Sequence, residues 1–215
     1  MPLDTYNDLL AAVAAYVTYD DPSAYLDIAI SQAEAVMNRD LRVREMQATE
    51  SYSSNSSSVL ALPADFIEVI SFYENAEMGG TLERLSPNDF WSTSAGRGFV
   101  TGQPAVYTVL DESLHIAPAP DGPRDYVLQY YSELTPITPS NDSNPIYDRH
   151  PDVYVRAVLA QVYELVGDRD QYAEMQAAYE RVRNSITQAD ARGRYRPGMR
   201  VQSRGVTRDG VYRIA

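Results

Sequence analysis

From about Asp4 to Tyr16 the chain reads as a helix, because Tyr6, Leu9, Leu10, Val13 and Val17 fall at helical spacing and Asp4 or Thr5 can cap it. Asp20-Asp21-Pro22 marks a restart, with Asp21 as N-cap and Pro22 at the first helical position. The second helix runs to about Leu41. Its polar edge is Asp27, Ser31, Glu34 and Asn38. Leu26, Ile28, Ile30, Ala33, Val36 and Met37 fill a wide apolar arc, which predicts packing on more than one neighbour.

From about Arg42 to Leu134 the pattern changes to short runs rich in Val, Ile, Tyr and Phe, punctuated by Gly, Pro, Asn and Ser. Candidate strands are 43–52, 58–62, 67–74, 80–85, 104–110, 113–117 and 125–133. Asp111-Glu112 is a short hairpin connection. Tyr126, Leu128 and Tyr130 share one face of the last strand, with Val127, Gln129 and Tyr131 on the other. The serine tract Ser51 to Ser58 reads as an exposed low-complexity loop, and Pro136 to Pro145 as a linker.

Helical spacing returns at Pro151. Tyr154, Val155, Val158, Leu159, Val162, Leu165 and Val166 predict a largely buried helix that Gly167 ends. Asp168 and Asp170 open a fourth helix with a narrow stripe of Tyr172, Met175, Tyr179, Val182 and Ile186. The short junction makes these two helices an antiparallel hairpin. Past Ala191 the periodicity stops. The expected fold is α+β: an antiparallel helical bundle (1–42 and 148–190), a β-rich insertion (43–147) and an extended basic C-terminal arm (191–215).

Composition refines this picture. The chain has 215 residues, 44% of them apolar, so one domain with an insertion can close a core. There is no Cys, which excludes disulfides and thiolate chemistry. The longest uncharged apolar run, Leu9 to Tyr19, is too short to span a bilayer. Asp4 and Asp8, with no basic residue near them, do not read as a secretory signal, and the glycosylation tripeptides at Asn55 and Asn141 then read as chance. Every basic residue is Arg. Residues 1–190 hold 11 Arg and 29 acids, a net of −18; residues 191–215 hold seven Arg and one acid, a net of +6. The acidic body repels nucleic acid, and the basic tail points to an interaction arm.

Little chemistry is visible. His115 sits inside a strand pattern without metal spacing. His150 lies between Asp148 and Asp152, where a hydrolytic base is conceivable but helix capping is the favoured reading. Gly96-Arg-Gly98-Phe-Val-Thr-Gly102 lacks the spacing of a phosphate loop. The pairs Asp20/Asp21 and Asp168/Asp170 sit at predicted helix starts. No catalytic, metal or cofactor site is expected. The outstanding aromatic is Tyr, 17 against four Phe and one Trp, which suits partly wet interfaces as well as half-buried strands. In the tail, Arg alternates with Tyr195, Met199, Val201, Val206, Tyr212 and Ile214. It reads as a solvated tail, a nucleic-acid binder or an arm that orders on a protein partner. The apolar residues favour the arm.

A succession of short motifs resembles a known family. Leu62-Pro-Ala-Asp-Phe66, Leu85-Ser-Pro-Asn-Asp-Phe90-Trp91, Gly102-Gln-Pro-Ala-Val-Tyr107, Leu114-His-Ile-Ala-Pro-Ala-Pro-Asp121, Tyr126-Val-Leu-Gln-Tyr-Tyr131 and His150-Pro-Asp-Val-Tyr154 follow one another within helix–helix–β–helix–helix. This order resembles the head-to-tail adaptor (connector) proteins of short-tailed bacteriophages over about residues 5–188. The resemblance implies a non-enzymatic virion protein, made in the host cytoplasm and forming a homo-oligomeric ring of about twelve copies under the portal. The bundle would form the ring wall, and the β insertion would face outward or toward the downstream tail protein, a nozzle or tail fibre component. The arm would lock into the portal through Arg192, Arg194, Tyr195, Arg196, Arg200, Arg204, Arg208, Tyr212 and Arg213. No membrane is involved, and DNA would pass an acidic channel wall without specific binding.

Overall fold

The computed structural model describes residues 4–17, 23–76, 79–96 and 101–194. Helix α1 (Tyr6–Ala14) begins at a capping box: Thr5 and Asp8 each accept the other's backbone amide. It buries Tyr6, Leu9 and Val13. Helix α2 (Ser23–Asp40) follows; the restart expected at Asp20-Asp21-Pro22 lies outside the described residues. Two expectations for α2 are corrected. Ile28 is 51% exposed, whereas Glu34, placed on the polar edge, is only 7% exposed. The cause is the segment after the β region. It lies over the Glu34 face, and its Ile137 amide donates to the carboxylate at 2.7 Å.

A 3-10 turn at Arg44–Met46 leads into β1 (Gln47–Asn55), β2 (Val59–Ala61), β3 (Phe66–Glu74) and β4 (Glu83–Arg84). After α3 (Pro87–Gly96) come β5 (Thr101–Gly102), β6 (Val106–Leu110), β7 (Ser113–Ala117), β8 (Ala119–Pro120) and β9 (Pro123–Ser132). Strand order is β1-β9-β3 in one sheet, β2-β7-β6-β4 in a second, and β5-β8 in a small third. The first two share one core: Phe72, Tyr126, Leu128 and Tyr130 meet Leu60, Tyr107, Leu114 and Ile116. The β6–β7 hairpin turns on Asp111 and Glu112, both left-handed at φ 47° and 57°.

Three sequence readings change here. Ser51 to Asn55 are strand, not loop, because β9 from Val127 to Pro123 supplies a full set of ladder partners; Ser54 is buried and its hydroxyl donates to the Ser57 carbonyl. The candidate strand 80–85 shrinks to Glu83–Arg84, which runs parallel to β6. Helix α3 falls where no helix was expected. Its start signal is present all the same: the Ser86 hydroxyl accepts the Asp89 amide and donates to the Asp89 carboxylate, with Pro87 at the first turn.

The linker is ordered, and a short helix α4 (Pro145–Arg149) closes it, capped by the Asn144 side chain on the Ile146 and Tyr147 amides. Helix α5 (Pro151–Val166) is the hub of the helical lobe, packing on α1, α2, α4 and α6. It ends at Gly167 (φ 85°) as the sequence predicts. Helix α6 (Arg169–Arg194) starts at Asp168, whose carboxylate accepts the Gln171 amide. Its stripe of Tyr172, Met175, Tyr179, Val182 and Ile186 lies on the shared core. The helix runs on to Arg194, so residues 191–194 are helical rather than extended. Loss of apolar period does not end it, because Asp190 is buried in an ion pair with Arg44 at 3.0 Å and holds the last turns down.

Candidate partner interface

Two of the nine predicted contact residues fall at the end of α6. Arg192 is exposed on its last turn and Arg194 is its final residue. Arg192 places positive charge where the helix dipole is negative. Tyr195, Arg196, Arg200, Arg204, Arg208, Tyr212 and Arg213 lie outside the described residues. Arg44 lies against this exit, with its guanidinium beside Gly193.

Five of the body's arginines are held in ion pairs among the described residues. Arg42, Arg44, Arg124, Arg149 and Arg183 pair with Glu68, Asp190, Glu74 and Asp121, Glu45, and Asp40. Exposed acids such as Asp111, Glu112, Glu164, Asp170 and Glu174 carry no ion pair among the described residues. The outer surface is therefore acidic, and a cationic segment is drawn to it or to a similar surface on a partner.

The catalytic alternatives do not assemble. His150 is the C-cap residue of α4 and the N-cap residue of α5; its own side chain makes no capping bond, and the carboxylates of the cluster stand in first turns, Asp148 in α4 and Asp152 in α5, where the helix dipole favours them. Asp148 and Asp152 are exposed, and no hydrogen bond joins either to His150 among the described residues. His115 is a half-buried strand residue in β7, its ring 6.2 Å from that of Trp91. No group of three His or acidic side chains gathers among the described residues. Of the glycine loop at 96–102, residues 97–100 are outside the described set.

Tyrosine has a role that residue counting does not reveal: it bolts elements together. Its hydroxyls donate from Tyr6 to Asp27 (2.6 Å), Tyr147 to the Thr5 carbonyl (3.2 Å), Tyr163 to the Tyr16 carbonyl (3.0 Å) and Tyr130 to Asp65 (3.0 Å). The deepest bolt is Tyr154 to Glu34. Asn144 donates to the same tyrosine oxygen at 3.0 Å. Burial raises the Glu34 carboxyl above its ordinary range, partly offset by the Ile137 amide and the Tyr154 hydroxyl. Burial, then the Glu34 charge, raises Tyr154 as well. Glu34 also lines a 670 Å³ cleft with Arg39, Phe66 and Glu133, between α2 and the linker.

The matching of known families decides what this arrangement serves. A family model, that of the SU10 adaptor protein, matches residues 4–202. The chain belongs to the SU10 adaptor protein family. Membership gives it the structural role of a phage head-to-tail adaptor. The SU10 adaptor match takes in every described element and continues past α6. No curated protein matches the chain. None of the described helices of this SU10 adaptor is long and apolar enough to cross a membrane.

Proposed function

We propose that this SU10 adaptor assembles as a ring of about twelve copies beneath the portal, with the helical lobe as the wall. The arm from Arg192 onward anchors to the portal, and the β sandwich presents the surface for the downstream tail protein. DNA passes an acidic wall that does not hold it. The observation that carries this reading is the family match over nearly the whole chain. The division into an acidic body and a basic tail supports it, since such a tail finds an acidic partner and fixes register.

The test is a mass determination of the protein alone and with a portal ring. The expected result is about twelve copies joining the portal, with residues after Arg194 protected from protease. A chain ending at Arg194 should keep the fold and lose attachment. Normal attachment by that chain would remove the arm from the mechanism. Duplex DNA binding that collapses with salt, without portal capture, would assign the tail to nucleic acid instead.

A further inference from the structure

Asp27, Ser31 and Glu34 share one face of α2, at the i, i+4 and i+7 spacing of a single helical side. The linker lies over this face, and a cleft of about 350 Å³ opens between them. Its walls are apolar: Ile30 and Ile137 are buried, and Pro136 and Pro139 stand toward solvent. Two acids line it, Asp27 and Glu34, and among the described residues no basic side chain does. Glu34, Ser31 and Pro136 also line the 670 Å³ cleft that extends toward Arg39, so the two clefts form one groove along α2. From Asp27 to Arg39 is about 18 Å of helix, the length of about five extended residues.

Both acids are held in place through one oxygen each. The Tyr6 hydroxyl donates to Asp27 Oδ1 at 2.6 Å, while the Tyr154 hydroxyl and the Ile137 amide both donate to Glu34 Oε1. No donor among the described residues reaches Asp27 Oδ2 or Glu34 Oε2. Asp27 is exposed, whereas Glu34 is 7% exposed. Of the three buried acids among the described residues, Glu74 and Asp190 pair with arginines and Glu34 does not. A carboxylate that is already out of water and fixed by hydroxyls gains most from an incoming cation, because little ordering or desolvation of the site is left to do.

We propose that this groove receives an extended segment of a protein partner, with an arginine or lysine side chain of that segment ending on Glu34 Oε2. The aliphatic stem of such a side chain lies along Ile30, Pro136 and Ile137, and its charged head supplies the charge that Glu34 lacks. Asp27 draws the cation in. Arg39 at the far end repels it, which sets the basic residue at the Asp27–Glu34 end. Two carboxylates fall short of a metal's ligand set, and no group of three gathers among the described residues. The groove goes beyond the ring and portal reading and does not rest on it.

The test titrates the full chain, followed by amide NMR, with an acetylated and amidated pentapeptide carrying one arginine between prolines, which hold it extended. A second peptide replaces the arginine by citrulline, its neutral isostere. The expected result is that the arginine peptide shifts the Ser31 and Thr138 amides and binds about tenfold tighter than the citrulline peptide. Glu34→Gln, which keeps an oxygen for Tyr154 and Ile137, should remove that tenfold preference; Asp27→Asn, at an exposed position, should reduce it about threefold. No shift at these amides at about 5 mM peptide would overturn the groove. Equal binding of the two peptides, or an arginine preference that survives in Glu34→Gln, would overturn the charge pairing. Guanidinium ion alone binding as tightly as the arginine peptide would overturn the segment and leave a small-cation site.

Discussion

Glu34 and Glu74 are buried to the same degree, 7% exposed each, and the two lobes accommodate them in opposite ways. In the helical lobe the partners of Glu34 among the described residues are dipoles: the Tyr154 hydroxyl and the Ile137 amide. In the β lobe Glu74 meets a cation. One of its oxygens accepts from Arg124 and the other from Gln103 at 3.3 Å. Arg124 reaches Asp121 as well, at 2.8 Å. A helix packed among neighbours supplies hydroxyls and loop amides, whereas the end of a sandwich, where β3 and β9 meet turns, admits a long guanidinium from the surface. In the first, the dipoles offset only part of the burial that raises the carboxyl's affinity for a proton; the second joins strand ends to turns by charge.

The largest expected effect breaks the charged solution. Arg124→Ala strands Glu74 without its cation and should lower stability by about 2–3 kcal/mol, less than a fully buried pair because Arg124 is 22% exposed. Urea unfolding reads it. A loss below about 1 kcal/mol would mean that water replaces the guanidinium easily. Adding Glu74→Leu should restore much of the loss, because the uncompensated charge is then gone. Next comes Tyr154→Phe. It removes the hydroxyl from Glu34 and an acceptor from Asn144, for about 1–2 kcal/mol on the same measurement. Asn144 keeps the Thr135 carbonyl, which limits the damage.

The two carboxylates also show where the sequence was legible. Apolar period located α1, α2, α5, α6 and most strands, and Gly167 marked its turn, because those features are local. Glu34 sat on a polar edge by helical arithmetic; what buries it is a segment about a hundred residues later, which no local pattern encodes. Ser51 to Asn55 read as loop because serine has weak strand preference, yet β9 imposes the ladder. Helix α3 was legible: Ser86-Pro87 with Asp89 is a start signal, outweighed by the strand grammar on either side. The tail was legible as a change of charge and period, but residues 191–194 are helical and the rest lies outside the described residues. The edge position of β1 was not legible, since it follows from sheet order alone.

A pH titration sharpens the contrast. The Glu34 carboxyl holds its proton more tightly folded than unfolded. Its contribution to stability is therefore whole below the ordinary carboxylate value of 4.5 and is lost as pH rises through the raised folded value. Glu34→Gln should remove that part of the decline, giving a flatter urea midpoint against pH, while still accepting from Ile137 and Tyr154. An unchanged slope would show that the site stays ionised in the fold at no penalty.

The smallest effect concerns the second donor at each site. At Glu34 it is the Ile137 backbone amide at 2.7 Å, within a buried residue. At Glu74 it is the Gln103 side chain, exposed and at 3.3 Å. Losing an exposed donor at that length lets water take its place, so Gln103→Ala should change stability by no more than about 0.5 kcal/mol. In the Arg124→Ala background the same substitution should matter more, because Gln103 is then the remaining protein donor to that carboxylate among the described residues. A double-mutant cycle by urea unfolding measures the difference. Strict additivity would mean that Gln103 and Arg124 act on Glu74 separately; coupling would make the end of the sandwich one network, as Tyr154, Asn144 and Glu34 already are in the helical lobe.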